Sequence, residues 1–217
     1  MKRVLVTGGL GFIGSNLVKR LVREGYAVEV IDDLSNGSIE SISELKVRNV
    51  PVSLLDTYLQ NGEEDIDVLS IHGDFADDAI LNRVSLKTYS SIFHLAAVPR
   101  VEYSVEFPSL TTDINVMRTI KLMTASIGNI EKFVFSSSSA IYGNVDDNFP
   151  AKENGNSKPS SPYGLQKLVV EQYCSMFYEL YNFQSVCLRY FNVYGPGQLG
   201  DSPYSTAVSA WMDKLKN

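Results

Sequence analysis

The sequence predicts a doubly wound α/β fold, a parallel sheet with helices on both faces. Short runs of Val, Ile, Leu and Phe recur along the chain, segments of helical spacing separate them, and a glycine-rich turn joins the first run to the first helix. Continuous apolar runs suit strands covered on both sides, as parallel strands are. Their alternation with helices implies right-handed crossovers between parallel strands.

Taken in order, residues 3–7 form the first strand and 12–24 the first helix, which opens just after the glycines. Residues 27–31 form the second strand. The polar stretch 35–66 is long for a simple crossover and reads as a helix plus a surface excursion. Strands follow at 68–72, 91–95, 132–136 and 185–189, with helices at 77–84, 108–126 and 162–181 between them. Residues 144–161, rich in Asn, Pro, Ser and Lys, read as a loop over the sheet edge, and 205–215 read as the start of a further helix. There are no repeats and no linker of the kind that separates domains.

The 217 residues carry a net charge of −6, with 44% hydrophobic and 20% charged residues. That balance is ordinary for a globular protein and argues against a broad nucleic-acid surface, which needs clustered Lys and Arg. No apolar run approaches the roughly 18 residues of a membrane span, and the apolar start is broken by glycines with no cleavage-like segment. Two cysteines and two histidines make neither a disulfide framework nor a metal cluster. A cytoplasmic, metal-free protein is expected.

The strongest local signal runs from Val4 to Gly14 and contains G-x-G-x-x-G at Gly9, Gly11 and Gly14, and G-x-x-G-x-x-G at Gly8, Gly11 and Gly14. Such glycines let the backbone turn tightly after a strand and approach a pyrophosphate, while the following helix points its free N–H groups at the phosphate. By itself the pattern is also that of a glycine-rich turn. Here it follows a strand and opens a helix in the first βαβ unit, as a Rossmann-type dinucleotide site requires. The second strand ends at Asp32 and Asp33, about 20 residues past the glycines, where a carboxylate accepts from a ribose hydroxyl. It would repel a 2′-phosphate, so NAD is expected rather than NADP. A further acid, Asp74, follows the third predicted strand and reads equally as a helix N-cap.

The helix near Pro162 carries Tyr163 and Lys167, whose i, i+4 spacing puts phenol and ammonium on one face. It follows a long loop, and the preceding strand ends in the serines Ser136 to Ser139 at the carboxyl edge, where Rossmann-type ligands sit. A hydroxyl, a phenol and an ammonium form a proton-transfer set. Bringing a phenol from a pKa of about 10 to about 7 takes roughly 4 kcal/mol. A neighbouring lysine and the positive ring of oxidised NAD are expected to supply it.

These motifs, together with His94-Leu95-Ala96-Ala97, Ser137 to Gly143 and Arg189 to Gly197, resemble the extended short-chain dehydrogenases, and among them the UDP-glucose and UDP-N-acetylglucosamine 4-epimerases. The resemblance covers essentially the whole chain. It implies that Gly8, Gly11, Phe12, Ile13 and Gly14 hold the pyrophosphate, Asp32 and Asp33 meet the adenosine ribose with Asn36 and Gly37 beside it, and Asp74 and Phe75 lie by the adenine. Leu95, Ala96 and Ala97 then line the cofactor cleft with Asn115 behind it, and Ser136 and Tyr190 complete the cofactor residues. It further implies that Ser138 is the catalytic hydroxyl, Tyr163 the base, and Lys167 the ligand of the nicotinamide ribose that lowers the phenol pKa. Arg100, Ser138, Ser139, Tyr163 and Asn192 are the implied UDP-sugar contacts. Related sugar dehydratases and decarboxylases carry acids beside the catalytic hydroxyl; Ser139 and Ala140 stand there in this chain, which leaves reversible oxidation at a carbinol.

Members of the resembled family run longer, with a mostly helical C-terminal part that closes over the nucleotide sugar. The expected layout is an NAD-binding unit over residues 1–190 and the start of a shortened substrate-binding region over 191–217. Three outcomes stay open: an enzyme completed by a partner or a homodimer, an NAD-binding module, or a shortened epimerase relative without independent activity. If a covering part is absent, Phe191, Val193, Tyr204, Val208 and Trp211 are expected to leave an apolar patch.

Overall fold

In the computed structural model, which describes residues 1–61, 65–144, 150–198, 211, 214 and 215, the apolar runs become seven strands of one sheet. They are β1 (Arg3–Thr7), β2 (Ala27–Asp32), β3 (Val47–Pro51), β4 (Val68–His72), β5 (Ser91–His94), β6 (Lys132–Ser138) and β7 (Ser185–Tyr190), in the spatial order β3-β4-β2-β1-β5-β6-β7. Every neighbouring pair is parallel. The order reverses at β1, between β2 and β5, which opens a crevice at the carboxyl ends of those strands.

The helices are α1 (Phe12–Arg23), α2 (Leu55–Gln60), α3 (Asp78–Ser85), α4 (Val101–Glu106), α5 (Pro108–Thr112), α6 (Thr119–Ser126) and α7 (Pro162–Tyr181), with a π-helical turn over Asp113–Arg118 between α5 and α6. Strand parity divides the core. Val4 and Val6 of β1 and Val28 and Val30 of β2 meet Val18 and Leu21 of α1 on one face. Leu5, Ile31, Ile71, Ile92, Phe133 and Phe135 form the other, under side chains of α3, α6 and α7. Each large side chain so buried stabilises by about 1.5–3 kcal/mol. At the β7 edge the face opposite α7 is less covered: Val186 and Leu188 are exposed.

The stretch 35–66 departs from the expectation. Its regular elements are short 3₁₀ turns at Ile39–Ile42 and Val52–Leu54, the strand β3, and the short helix α2. Among the described residues β3 pairs only with β4. As an edge strand it exposes Arg48, Asn49 and Pro51, so it lacks the largely apolar run by which the inner strands are recognised, and its Pro lacks a ladder donor. The single helix expected over 108–126 is α5, the π turn and α6, preceded by α4. The described part of the 144–161 loop touches the β7 edge, where the Glu153 carbonyl accepts from Arg189 at 2.9 Å. The helix expected over 205–215 lies outside the described residues except at 211, 214 and 215, which are helical.

Candidate active site

The glycine turn follows from β1 running directly into α1. Gly8 has φ +68°, and a Cβ there would fall 2.8 Å from the Ala96 nitrogen; a Cβ on Gly14 would strike the Gly8 carbonyl and lie 2.7 Å from the Gly9 Cα. Gly11 differs, since a Cβ there would meet only the Gly8 oxygen, at 3.5 Å. Its bare side lies at the N-terminus of α1, which has no side-chain cap. A concave backbone with uncapped amides at a helix start fits a diphosphate. Phe12 and Ile13, in the first turn of α1, are half-buried.

At the end of β2, Asp32 is 7% exposed and accepts from the Leu10 N–H at 3.0 Å and the Leu34 N–H at 2.9 Å. Burial raises its pKa and these two bonds oppose the rise. Gly37 packs against this carboxylate, 2.9 Å from it by the position of an added Cβ, and the cramped turn forces Leu34 to φ +61°. Asp33 and Asn36 are exposed, and Asp33 accepts from the Ser35 N–H at 2.9 Å.

Asp74 accepts from the Ala76 N–H at 2.8 Å and pairs with Arg118 of the π turn. The N-cap of α3 is Asp77, which accepts from Ala79 at 2.9 Å, so the capping role open to Asp74 belongs to its neighbour. The Phe75 ring is 6% exposed and stands edge-on to His94 at 4.9 Å, turned into the core. Leu95, Ala96 and Ala97 are half-buried at the end of β5. Behind them Asn115 accepts from the Val98 N–H at 2.8 Å and donates to the Val98 carbonyl at 3.1 Å.

The serine run ends β6, while Ser161 caps α7 by accepting from Gly164 at 3.1 Å, with Pro162 in its first turn. This brings Ser138, Tyr163 and Lys167 together. Ser138 accepts from Ala140 at 3.1 Å, and its hydroxyl acts on the Tyr163 phenol to lower its pKa. Lys167 Nζ donates to the Ser136 carbonyl at 2.8 Å and lies 5.7 Å from the Tyr163 ring centre. The Tyr163 N–H donates to Ser104 of α4 at 3.0 Å.

Burial raises the Tyr163 pKa above 10, with the Ser138 hydrogen bond pulling it back; Lys167, 4% exposed, is itself pushed down to about 8 by burial. With NAD absent, burial is the larger influence on the phenol and the Ser138 hydroxyl the smaller, while one Lys167 proton goes to the Ser136 carbonyl. The protein alone holds the phenol protonated at neutral pH.

Tyr190 is half-buried at the end of β7, in register with Ser138, and Ser139 is half-buried in the turn after β6. Arg100, before α4, and Asn192 are both exposed; neither is drawn into the Ser138–Tyr163–Lys167 group. Phe191 and Trp211 are each 65% exposed, Val193 is half-buried, and Tyr204 and Val208 lie outside the described residues.

Sequence reasoning missed the support beneath this group. Arg189 donates to both oxygens of Glu171, to Oε1 at 3.1 Å and to Oε2 at 2.7 Å, and to the Tyr142 hydroxyl at 3.1 Å; Ser137 also donates to Glu171. The ion pair joins β7 to α7 one turn beyond Lys167. Its signal was present as an Arg in an otherwise apolar strand and a Glu four residues after Lys167.

The family model described as the NAD dependent epimerase/dehydratase family matches residues 4–217. The chain is 37% identical over 210 residues to a protein of Oryza sativa subsp. japonica named UDP-glucose 4-epimerase 2, covering 94% of this chain and 48% of that one. Among solved structures, it matches the UDP-N-acetylglucosamine 4-epimerase from Methanobrevibacter ruminantium M1 in complex with UDP-N-acetylmuramic acid at TM-score 0.83 and 38% identity, over 100% of this chain and 63% of that one. It also matches a Thermus thermophilus UDP-glucose 4-epimerase in complex with NAD at TM-score 0.75 and 34% identity, over 93% and 59% of the two chains. The chain thus spans between 48% and 63% of the lengths of these relatives.

Proposed function

This chain belongs to the NAD dependent epimerase/dehydratase family, and we propose that it binds NAD and catalyses reversible 4-epimerisation of a UDP-hexose or UDP-N-acetylhexosamine. The observation that carries the proposal is the meeting of Ser138, Tyr163 and Lys167 at the carboxyl edge of β6, across the crevice from the glycine turn. Residues 1–190 are read as the NAD-binding unit and 191–217 as the start of a substrate-binding region.

In this reading Gly8, Gly11, Phe12, Ile13 and Gly14 seat the diphosphate, and Asp32 takes the adenosine ribose with the lone pairs its two backbone bonds leave over. When bound, NAD supplies a hydride acceptor and, while oxidised, a positive charge. Ser138 holds the sugar hydroxyl and Tyr163 takes its proton. Burial disfavours the Tyr163 phenolate, and the positive charge that oxidised NAD would add to the cleft favours it. Lys167 orients the site from the Ser136 carbonyl. The two positions after Ser138 carry Ser139 and Ala140 in place of acids, which favours epimerisation over elimination.

Tyr163→Phe tests the assignment. It should leave NAD binding intact and lower conversion of UDP-glucose or UDP-N-acetylglucosamine by about 100-fold or more, as loss of a general base does; unchanged turnover would discard it. A second reading is an NAD-binding module without turnover of its own, favoured by the exposure of Phe191 and Asn192. Saturable NAD binding with no conversion of either sugar nucleotide would select it.

A homodimer is part of the proposal. Leu165, Met176 and Leu180 line one exposed side of α7, and Leu110 and Met117 are exposed on the helices packed against it. Two such faces related by a two-fold axis would bury each other. Leu165→Arg with Met176→Arg should convert a sedimenting dimer to monomer; a monomeric unmodified chain would refute it. A cytoplasmic setting accords with Cys174 and Cys187 as free thiols. Among the described residues, no helix is long and apolar enough to cross a membrane.

A further inference from the structure

A chain of side-chain hydrogen bonds runs from the glycine turn to α7 through His94, a residue to which the epimerase reading gives no task. Thr7 Oγ1 accepts from the Ala96 N–H at 3.1 Å and lies 2.7 Å from His94 Nδ1. His94 Nε2 lies 2.9 Å from Thr119 Oγ1, which donates to the Asn115 carbonyl at 2.9 Å. The Asn115 side chain then pairs with the N–H and carbonyl of Val98 at 2.8 and 3.1 Å, and donates to Gln166 Oε1 at 2.8 Å. Gln166 adjoins Lys167 and donates in turn to Thr111 at 2.9 Å.

The direction of this chain is determined by its members. A carbonyl only accepts, so the single hydroxyl proton of Thr119 is committed to Asn115. With the Thr119 proton so placed, His94 Nε2 carries the proton shared with Thr119 Oγ1. The ring is 1% exposed, among Phe75, Phe133 and Phe135 at 4.9, 5.8 and 6.0 Å. Burial, with the nearby Lys167 charge adding to it, lowers its pKa to about 3, so it is neutral. Nδ1 is then a bare acceptor, which the Thr7 hydroxyl fills while its oxygen accepts from Ala96. Each proton has one place to go.

Both ends of the segment 96–98 are thereby tied to one network, Ala96 through Thr7 and Val98 through Asn115. That segment presses on the glycine turn, since the Ala96 nitrogen is the atom nearest an added Cβ on Gly8, at 2.8 Å. Asn115 itself sits in the π turn, an insertion that recurs at functional sites.

We propose that His94, held as its Nε2–H tautomer, is a positioning residue that ties residues 96–98 at both ends and so fixes that wall of the dinucleotide cleft against the glycine turn. The proposal rests on dinucleotide binding and is independent of epimerisation.

Long-range proton–nitrogen NMR of the imidazoles, with His94→Gln for assignment, reads the tautomer in the unmodified chain. The expected result is a protonated Nε2 and a bare Nδ1; a protonated Nδ1 or a mixture overturns the proposal without any need for a variant to fold. Calorimetry with NAD reads the consequence. Thr119→Val should weaken binding about three- to tenfold, the worth of one or two hydrogen bonds, and Thr119→Ser should restore it. NAD affinity in Thr119→Val equal to that of the unmodified chain would refute the positioning role, and so would weakening that Thr119→Ser fails to rescue. If the unmodified chain binds no NAD, the family-based cofactor assignment and the positioning role both fall, while lack of sugar conversion alone touches only the epimerase reading.

Discussion

Lys167→Met probes the electrostatics of the site with NAD absent. The side chain is 4% exposed, and burial lowers its pKa from 10.5 to about 8. A lysine whose folded-state pKa lies below its unfolded value destabilises the fold at pH values under both, because the ammonium must be kept out of water. As pH rises from about 8 to 10.5 the folded lysine loses its proton first, and stability is regained across that window. At about 1.4 kcal/mol per pH unit the interval amounts to roughly 3 kcal/mol. Met keeps the volume of the stem and removes the charge, but leaves the Ser136 carbonyl, now bonded at 2.8 Å, without its donor at a cost of about 1 kcal/mol. At pH 7 the Met variant should therefore be more stable by about 2 kcal/mol. By pH 10.5 the order should reverse, with the unmodified protein ahead by about 1 kcal/mol. Urea unfolding of both proteins at pH 7, 9 and 10.5 measures this, and the difference cancels groups that titrate in both. A gap that stays constant within about 1 kcal/mol across that range would show that burial does not hold the lysine down.

Gly8→Ala forces a side chain into a left-handed backbone at φ +68° with its Cβ 2.8 Å from the Ala96 nitrogen; it should cost about 1–3 kcal/mol in thermal or urea unfolding and abolish NAD binding by calorimetry, and a variant that binds NAD normally would remove the glycine turn from the site. Glu171→Gln leaves the Arg189 guanidinium, 19% exposed in its side chain, without its carboxylate; a loss of about 3 kcal/mol is expected from urea unfolding, and a change below about 1 kcal/mol would mean the pair is a solvent-screened contact.

The inner strands were legible because they are covered on both faces and so are largely apolar, as in Val4 to Val6 and, apart from Glu29, Val28 to Ile31. β3 was not, because an edge strand with exposed Arg48 and Asn49 has no such constraint. The helix at 108–126 was legible from its spacing, but the π turn within it was not. That turn serves the Asn115 bonds to Val98 and Gln166, which lie 17 and 51 residues away, and no local periodicity records them.

Within the site, the glycine turn, Asp32 and the Tyr163–Lys167 spacing could be read directly, since each is a local requirement: a positive φ, a strand end, one helical turn. What the sequence by itself determined was thus the alternation of elements and the identity of the polar groups delivered to the carboxyl edge. Only the tertiary structure decided the protonation of those groups and their partners. It turned the Phe75 ring inward, matched Arg189 with Glu171, and raised the Tyr163 pKa by burial. The physical reason is that desolvation and hydrogen-bond direction depend on every neighbour within a few ångströms, and for these residues most neighbours come from distant parts of the chain.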